Sequence, residues 1–267
     1  MMSDKKAYDR LSDHIGRFPV VLMAPDDTDL VREGGELRRR FFDGVLSQLN
    51  PRYLEDFLQY NKILNQRNAL LKLFAERNYL DVDLLETYND PLITLNLRLH
   101  DRRRAFMELF LPLFKKQYAF LSSEKESVAV IYESEVATDD FPAEFRQHRS
   151  RDLHAQRTVR GVHKDDYAFE IDGMVLKKFG SQGQQKSFVI ALKLAQYELL
   201  AAEKETKPLL LLDDIFDKLD DKRIHKLIEL IDDGSLGQVF ITDARPERSR
   251  RILESIQADV RFFAIGG

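Results

Sequence analysis

The stretch that most constrains this chain is PLLLLDDIFDKLDD, Pro208 to Asp221, where four leucines run straight into two aspartates. A short unbroken apolar run of this kind predicts a buried strand. Ligands of open α/β sheets bind beyond the carboxyl ends of the strands, and Asp213 and Asp214 fall at such an end. Successive side chains of a strand point to opposite faces, so one aspartate can serve a Mg2+ ion or its water while the other meets a different group. Read alone, the same residues also describe a strand capped by solvated aspartates.

The surroundings decide the fold class. Helical and strand patterns alternate as helix Gln184–Glu203, strand Pro208–Leu212, helix Lys222–Ile231, strand Gln238–Thr242, helix Glu247–Ile256 and strand Asp259–Ala264. That alternation predicts an α/β layer with parallel strands. Near the start, RFPVVLMAP (Arg17–Pro25) predicts another buried strand. Between these sheet segments the period is helical. Gly35 to Asn50 is amphipathic, and then Asn50 and Pro51 supply an N-cap and a first-turn proline. Leu54, Phe57, Asn61, Leu64, Asn68, Leu71 and Ala75 follow as a coiled-coil seam, in which the two asparagines are expected to fix register. A second helical stretch, Val82 to Phe120, contains Pro91 and Pro112, which are expected to bend or break it. The two helices are expected to pair antiparallel as an inserted arm. After Ser122 the pattern turns to strands in SVAVIYESE and to a hairpin about Asp172-Gly173 in DYAFEIDGMVLKKF, with the basic helix FPAEFRQHRSRDLHAQRTV between them.

Composition narrows the setting. The 267 residues are 43% apolar, which suffices for a real core, and they contain no cysteine, which excludes a disulfide framework and thiolate zinc sites. No window reaches the roughly 18 apolar residues of a membrane helix, and MMSDKKAYDR lacks a secretory apolar region. A cytoplasmic protein with no membrane partner is expected. The net charge of −4 hides local basic clusters at Arg38–Arg40, Arg98–Arg104 and Arg146–Lys164.

Ahead of the long helix stands KKFGSQGQQKSF, Lys177–Phe188. Ser181, Gln182, Gly183, Gln184 and Gln185 open that helix, whose free amides and dipole are receptive to an anion. The alternative is a plain capping turn. Loop, long helix, leucine strand with two acids, Asp-x-x-Asp segment and a strand ending in Thr242-Asp243 nevertheless appear in one order.

That order resembles the carboxyl-terminal lobe of an ABC-type ATPase head, and within that superfamily the chain is similar to the RecF family. The resemblance spans nearly the whole chain, including DHIGRFPVVLMAPDDTDLV, GGELRRRFFD, NKILNQRNALLK, RTVRGVHKDDYAFEI and FGSQGQQKSF. It implies a P-loop NTPase fold of ABC type, incomplete here, with a mixed sheet, flanking helices and an inserted antiparallel helical arm. Residues 1–50 would be the remainder of the amino-terminal ATPase lobe, 51–125 the arm, and 126–267 the signature and Walker B lobe. ATP and Mg2+ are the implied cofactors, and DNA at gap junctions, RecR, RecO and an ATP-dependent homodimer the implied partners, in recombinational repair of gaps and stalled forks. Ser181 and Gly183, with Gln182, Gln184 and Gln185, would be the signature residues meeting the γ-phosphate of ATP held by the opposite subunit. Asp213 would carry Mg2+ through water and Asp214 polarise the attacking water. Asp217 and Asp220 would form the D-loop, and Asp243, catalytic with Asp214, stands beside Thr242 where transporters carry a switch histidine. Asp214 is one methylene shorter than the usual glutamate, so slow hydrolysis is implied.

The departure is as informative. A nucleotide site needs a G-x-x-x-x-G-K-[ST] loop, and no such string occurs in these residues; REGGELRRR is the nearest glycine pair. The expectation is an amino-terminally truncated chain that is inactive as an ATPase alone. Arg146, Arg149, Arg157, Arg160 and Lys164 are candidate DNA-phosphate contacts, along with Arg151, against the alternative of a solvated face. Arg38–Arg40 could contact DNA or pair with acids. His163 more readily satisfies a local hydrogen bond than a metal. A nucleotide-independent DNA- or protein-binding fragment is the competing function. An SMC-like head is disfavoured by the short arm and the absence of a C-x-x-C hook.

Overall fold

The computed structural model describes residues 15–122, 126–214, 221–254 and 256–264, together with a short antiparallel pairing of Met2–Ser3 with Lys6–Ala7. Asp217 and Asp220 lie outside the described residues. The elements in chain order are β1 (Val20–Met23), α1 (Asp29–Arg32), α2 (Gly35–Leu49), α3 (Pro51–Arg77), α4 (Val82–Ser122) and β2 (Val128–Glu133). They continue as α5 (Phe141–Gln147), α6 (Arg149–Ala155), β3 (Asp166–Ile171), β4 (Met174–Val175), α7 (Leu176–Phe179) and α8 (Gln182–Lys204). The last are β5 (Leu209–Asp213), α9 (Asp221–Asp232), β6 (Val239–Thr242) and α10 (Pro246–Leu253). The chain divides into two compact units, one of residues 1–15, 33–109 and 130–168, the other of 16–32, 110–129 and 169–267.

In the second unit the leucine strand β5 is central. It pairs parallel with β1, Val21 opposite Leu210, and parallel with β6, Leu210 opposite Val239. The parallel α/β layer expected from the alternation is therefore formed. Val21, Met23, Leu210 and Leu212 are buried on one face, and α8 packs there against β1. The opposite face is open at Leu22 and Phe240, each about half exposed (48% and 49%). A second sheet has the order β2-β3-β4, and its β3-β4 hairpin turns on Asp172 and Gly173, both at positive φ (49° and 74°). Positive φ at both central residues is what a tight two-residue hairpin needs, and Asp-Gly tolerates it.

The strand expected at Asp259–Ala264 does not form. Those residues are irregular, because a strand exists only beside a partner and none is paired with them among the described residues. The basic helix expected between the strands is two short helices, α5 and α6, joined at His148.

In the first unit α3 and α4 run antiparallel. Asp56 meets Arg102 at 2.6 Å, Arg67 meets Asn89 at 2.8 Å, and Leu71, Phe74 and Leu85 share one apolar cluster. Asn50 caps α3 by accepting the Tyr53 amide at 3.0 Å, as expected. Two expectations are met only in part. Residues 82–122 are one helix through Pro91 and Pro112, so neither proline breaks it. Each proline removes a single amide donor, which the packed apolar stripe of Leu85, Leu92, Leu99, Phe106, Phe110 and Phe114 outweighs. The buried residues of α3 are Tyr53, Leu54, Tyr60, Leu64, Arg67, Leu71 and Phe74, so Leu54, Leu64 and Leu71 of the expected seam are buried and the buried polar position is Arg67 in place of the asparagines.

Arg67 and Arg103 organise this unit. The Arg67 guanidinium is fully buried against Phe145 and bonds Asn89, Thr158 (2.7 Å) and Asp152 (2.8 Å). Arg103 reaches Asp43 at 2.9 Å, Asp165 at 2.6 Å and the Val162 carbonyl at 2.8 Å. Burial raises the Asp165 carboxyl above its usual range, and Arg103 opposes that rise. Burial also raises the phenols of Tyr53, Tyr132 and Tyr167 around it, and of these Tyr53 donates to Asp43 and Tyr132 to Asp165.

Candidate functional site

The loop before α8 is built by capping chemistry. Ser181 is the N-cap: its Oγ accepts the Gln184 amide at 3.2 Å, and the Gln184 side chain accepts the Ser181 amide at 2.6 Å. This capping box ties up two orphan donors reciprocally and leaves the Gln182 and Gly183 amides at the mouth of the helix. Gln182 is exposed and Gly183 half-buried, whereas Gln185 is buried with its side-chain amide on the Gly180 carbonyl at 3.1 Å. Gln185 therefore braces the turn, and the outward surface belongs to Ser181, Gln182 and Gly183. Gln184 is further held by Glu126, which accepts its Nε2 at 2.8 Å and the Tyr118 hydroxyl at 2.5 Å.

The two aspartates at the end of β5 have different surroundings, because the strand ends at Asp213. Asp213 is exposed and accepts the Thr242 hydroxyl at 2.5 Å across the β5-β6 pairing. Asp214 leaves the strand in the left-handed region, φ 46°, with its amide on the Thr242 carbonyl at 3.1 Å. That conformation costs a non-glycine residue about 1 kcal/mol or more and is held only where surroundings enforce it. Asp214 Oδ1 is buried without a hydrogen-bond partner and Asp214 lines a cavity of about 30 Å3 with Thr28, Lys186 and Lys193. That volume admits a water molecule or two, and the orphaned oxygen supplies an acceptor for one. Asp243 is occupied locally: its carboxylate accepts the Arg245 amide at 2.8 Å and the Ser249 hydroxyl, so it shapes the entry to α10. Among the described residues no group of three His, Asp or Glu side chains gathers as a metal cage. One outward carboxylate is still a sufficient protein share for a Mg2+ ion that completes its shell with water and phosphate oxygens.

The basic candidates separate into two classes. Arg146 is bound to Glu86 at 3.0 Å and Asp90 at 2.5 Å, which raises its pKa further, and Arg160 is bound to Glu144 and the Glu135 carbonyl. Both are internal braces of the first unit. Arg157 and Lys164 are exposed, Arg149 is half-buried, and none of the three has an ion pair among the described residues. Arg38 pairs with Asp166 through two bonds of 2.8 Å and Arg39 donates to the Asp165 carbonyl, so this basic triplet largely serves the fold. Both ring nitrogens of His163 are engaged, with Tyr60 Oη at 2.7 Å and the Thr158 carbonyl at 3.0 Å.

No family model matches the chain. Among characterised proteins it is 45% identical over 258 residues to the DNA replication and repair protein RecF of Flavobacterium johnsoniae, spanning 97% of this chain and 72% of that protein. It is 48% identical over 262 residues to the RecF of Cytophaga hutchinsonii, spanning 98% of this chain and 70% of that one. The chain belongs to the RecF family. Its fold agrees with two solved structures of the recombination mediator RecF in the RecFOR pathway. The structure with ATPrS gives a TM-score of 0.81 at 28% identity, covering 91% of this chain and 67% of that one. The structure with ATP gives 0.77 at 29%, covering 87% and 64%. The α/β architecture is thus that of a RecF ATPase head with an inserted helical arm, and the chain spans about 70% of the length of its RecF relatives.

Proposed function

We propose that this chain presents the signature half of a RecF nucleotide site, facing an ATP molecule carried by a neighbouring RecF subunit, in DNA repair at gaps and stalled forks. The supporting observation is the turn at Ser181–Gly183, whose outward amides stand at the mouth of α8 while Gln184 and Gln185 brace it from within. No G-x-x-x-x-G-K-[ST] string occurs in the 267 residues, and on this reading the phosphates facing Ser181–Gly183 are cradled by the neighbouring subunit. On this reading the segment 126–267 is the signature and Walker B lobe, 51–125 the arm and 1–50 the remainder of the other lobe. Asp213 is the carboxylate that would hold a Mg2+ ion, which would supply charge neutralisation for phosphate oxygens, and Asp214 is the acid that would orient a water at its cavity. Asp217 and Asp220, outside the described residues, are the D-loop acids on this reading, and Asp243 shapes the start of α10. The dimer is ATP-dependent, cytoplasmic, bound to DNA and served by RecR and RecO. Of the basic residues, Arg149, Arg157 and Lys164 are the DNA-facing set, giving salt-sensitive and sequence-independent contact.

The test is sedimentation of this chain with the RecF whose ATP complex is known. A mixed dimer is expected with ATP and not with ADP, and Ser181→Arg is expected to weaken it at least tenfold by placing a bulky cation where the γ-phosphate must sit. Equal association with and without ATP, or normal dimerisation of the Ser181→Arg variant, would refute the reading. If the chain instead takes up ATP alone, or binds DNA unchanged by nucleotide in every mixture, the nucleotide-independent fragment is the better account.

A further inference from the structure

Arg223 stands in the first turn of α9 and reaches back to α8. Its Nε donates to the hydroxyl of Ser187, a side chain with no solvent exposure one turn into α8. Its two terminal nitrogens lie 3.4 Å from the position a Cβ would take on Gly183, so the guanidinium rests against the outer turn itself. Burial and the neighbouring Glu126 raise the Tyr118 phenol, and the positive charge of Arg223 opposes that rise. Arg223 and Glu126 thus flank the Gly183–Gln184 turn with opposite charges, one through Ser187 and the glycine, the other through Gln184. A cation beside the positive end of a helix dipole does not improve the helix for its own sake. The planar guanidinium can bond Ser187 and cover Gly183 at once, which a lysine ammonium cannot.

We propose that Arg223 is a positioning residue that locks the Ser181–Gly183 turn to α9, so that the turn meets a partner's nucleotide in one fixed geometry. The inference rests on the functional reading above. It is tested by titrating the chain, and its Arg223→Gln and Arg223→Lys variants, into the ATP-bearing RecF loaded with ATP or with ADP. The ratio of the two affinities is the decisive readout. Arg223→Gln is expected to lower the preference for the ATP form about tenfold while the thermal midpoint of the chain stays close to that of the parent, and Arg223→Lys is expected to restore only part of it. A full preference in both variants, or an equal loss toward ATP and ADP forms, overturns the proposal while leaving the reading intact if Ser181→Arg still abolishes the preference. A parent chain with no preference for ATP overturns both.

Discussion

At the residue scale, the side chains that matter most to the first unit are ones whose type misleads. Arg67 and Arg103 lie on amphipathic helices where arginine normally marks solvent, yet both are buried, and their acids Asp152, Asp43 and Asp165 are remote in sequence. No local pattern links them, because a buried ion pair is specified by the fold and not by spacing. His163 was legible as a hydrogen-bonding residue because no correctly spaced metal partners stand near it. Burial pushes its imidazole down to about 4, with the charges of Lys164, Arg39 and Arg103 adding to the fall and the Thr158 carbonyl opposing it. The unfolded chain binds that proton near pH 6.5, so the stability tied to neutral His163 is intact above that value and lost as pH falls toward 4. Urea unfolding at stepped pH is expected to show about 3 kcal/mol more acid sensitivity between pH 6.5 and 4 in the parent than in His163→Gln. Equal sensitivity in the two proteins would show that the ring titrates normally.

At the scale of elements, periodicity carried most of the fold. The α2 and α3 boundaries, the Asn50 cap, the Asp172-Gly173 turn and the β5-α9-β6 succession follow from apolar spacing and turn residues that act locally. What was not legible depends on neighbours. The prolines of α4 break a helix only when nothing holds it, and a packed stripe of leucines and phenylalanines holds this one. The stretch Asp259–Ala264 has strand composition without a strand beside it. The α3 seam is shifted onto Tyr60 and Arg67 because the arginine finds Asn89, Thr158 and Asp152 together. Arg67→Ala leaves the Asp152 charge buried and unpaired, and it is expected to cost about 3–5 kcal/mol in chemical denaturation. A loss below about 1 kcal/mol, the range of an exposed pair, would mean that Asp152 finds solvent or another donor.

At the scale of the whole molecule, the local elements that carry the proposed site were legible, because a glycine turn before a helix and two acids after a strand are local signals in a fixed order. Its inner workings were not. The capping box that occupies Ser181, the outward bond of Asp213 to Thr242, the strained backbone of Asp214 and the Arg223 bridge all depend on elements brought together by the sheet. On the proposed reading Asp213, Asp214 and the Ser181–Gly183 turn are the acids and signature turn of a nucleotide switch, and no glycine-lysine cradle occurs within the 267 residues. On that reading, Ser181–Gly183 act on a nucleotide carried by a partner. By linkage, a chain that binds the ATP form of a RecF partner must tighten that partner's hold on ATP. The most direct measurement is the rate at which labelled ATP leaves a nucleotide-bearing RecF as this chain is added. Slower release with the parent chain, unchanged release with Ser181→Arg, and no ATP retained by the chain alone are the expected results. Release that is indifferent to the parent chain, or saturable ATP binding by the chain by itself, would contradict the assignment of Ser181–Gly183 to another subunit's nucleotide.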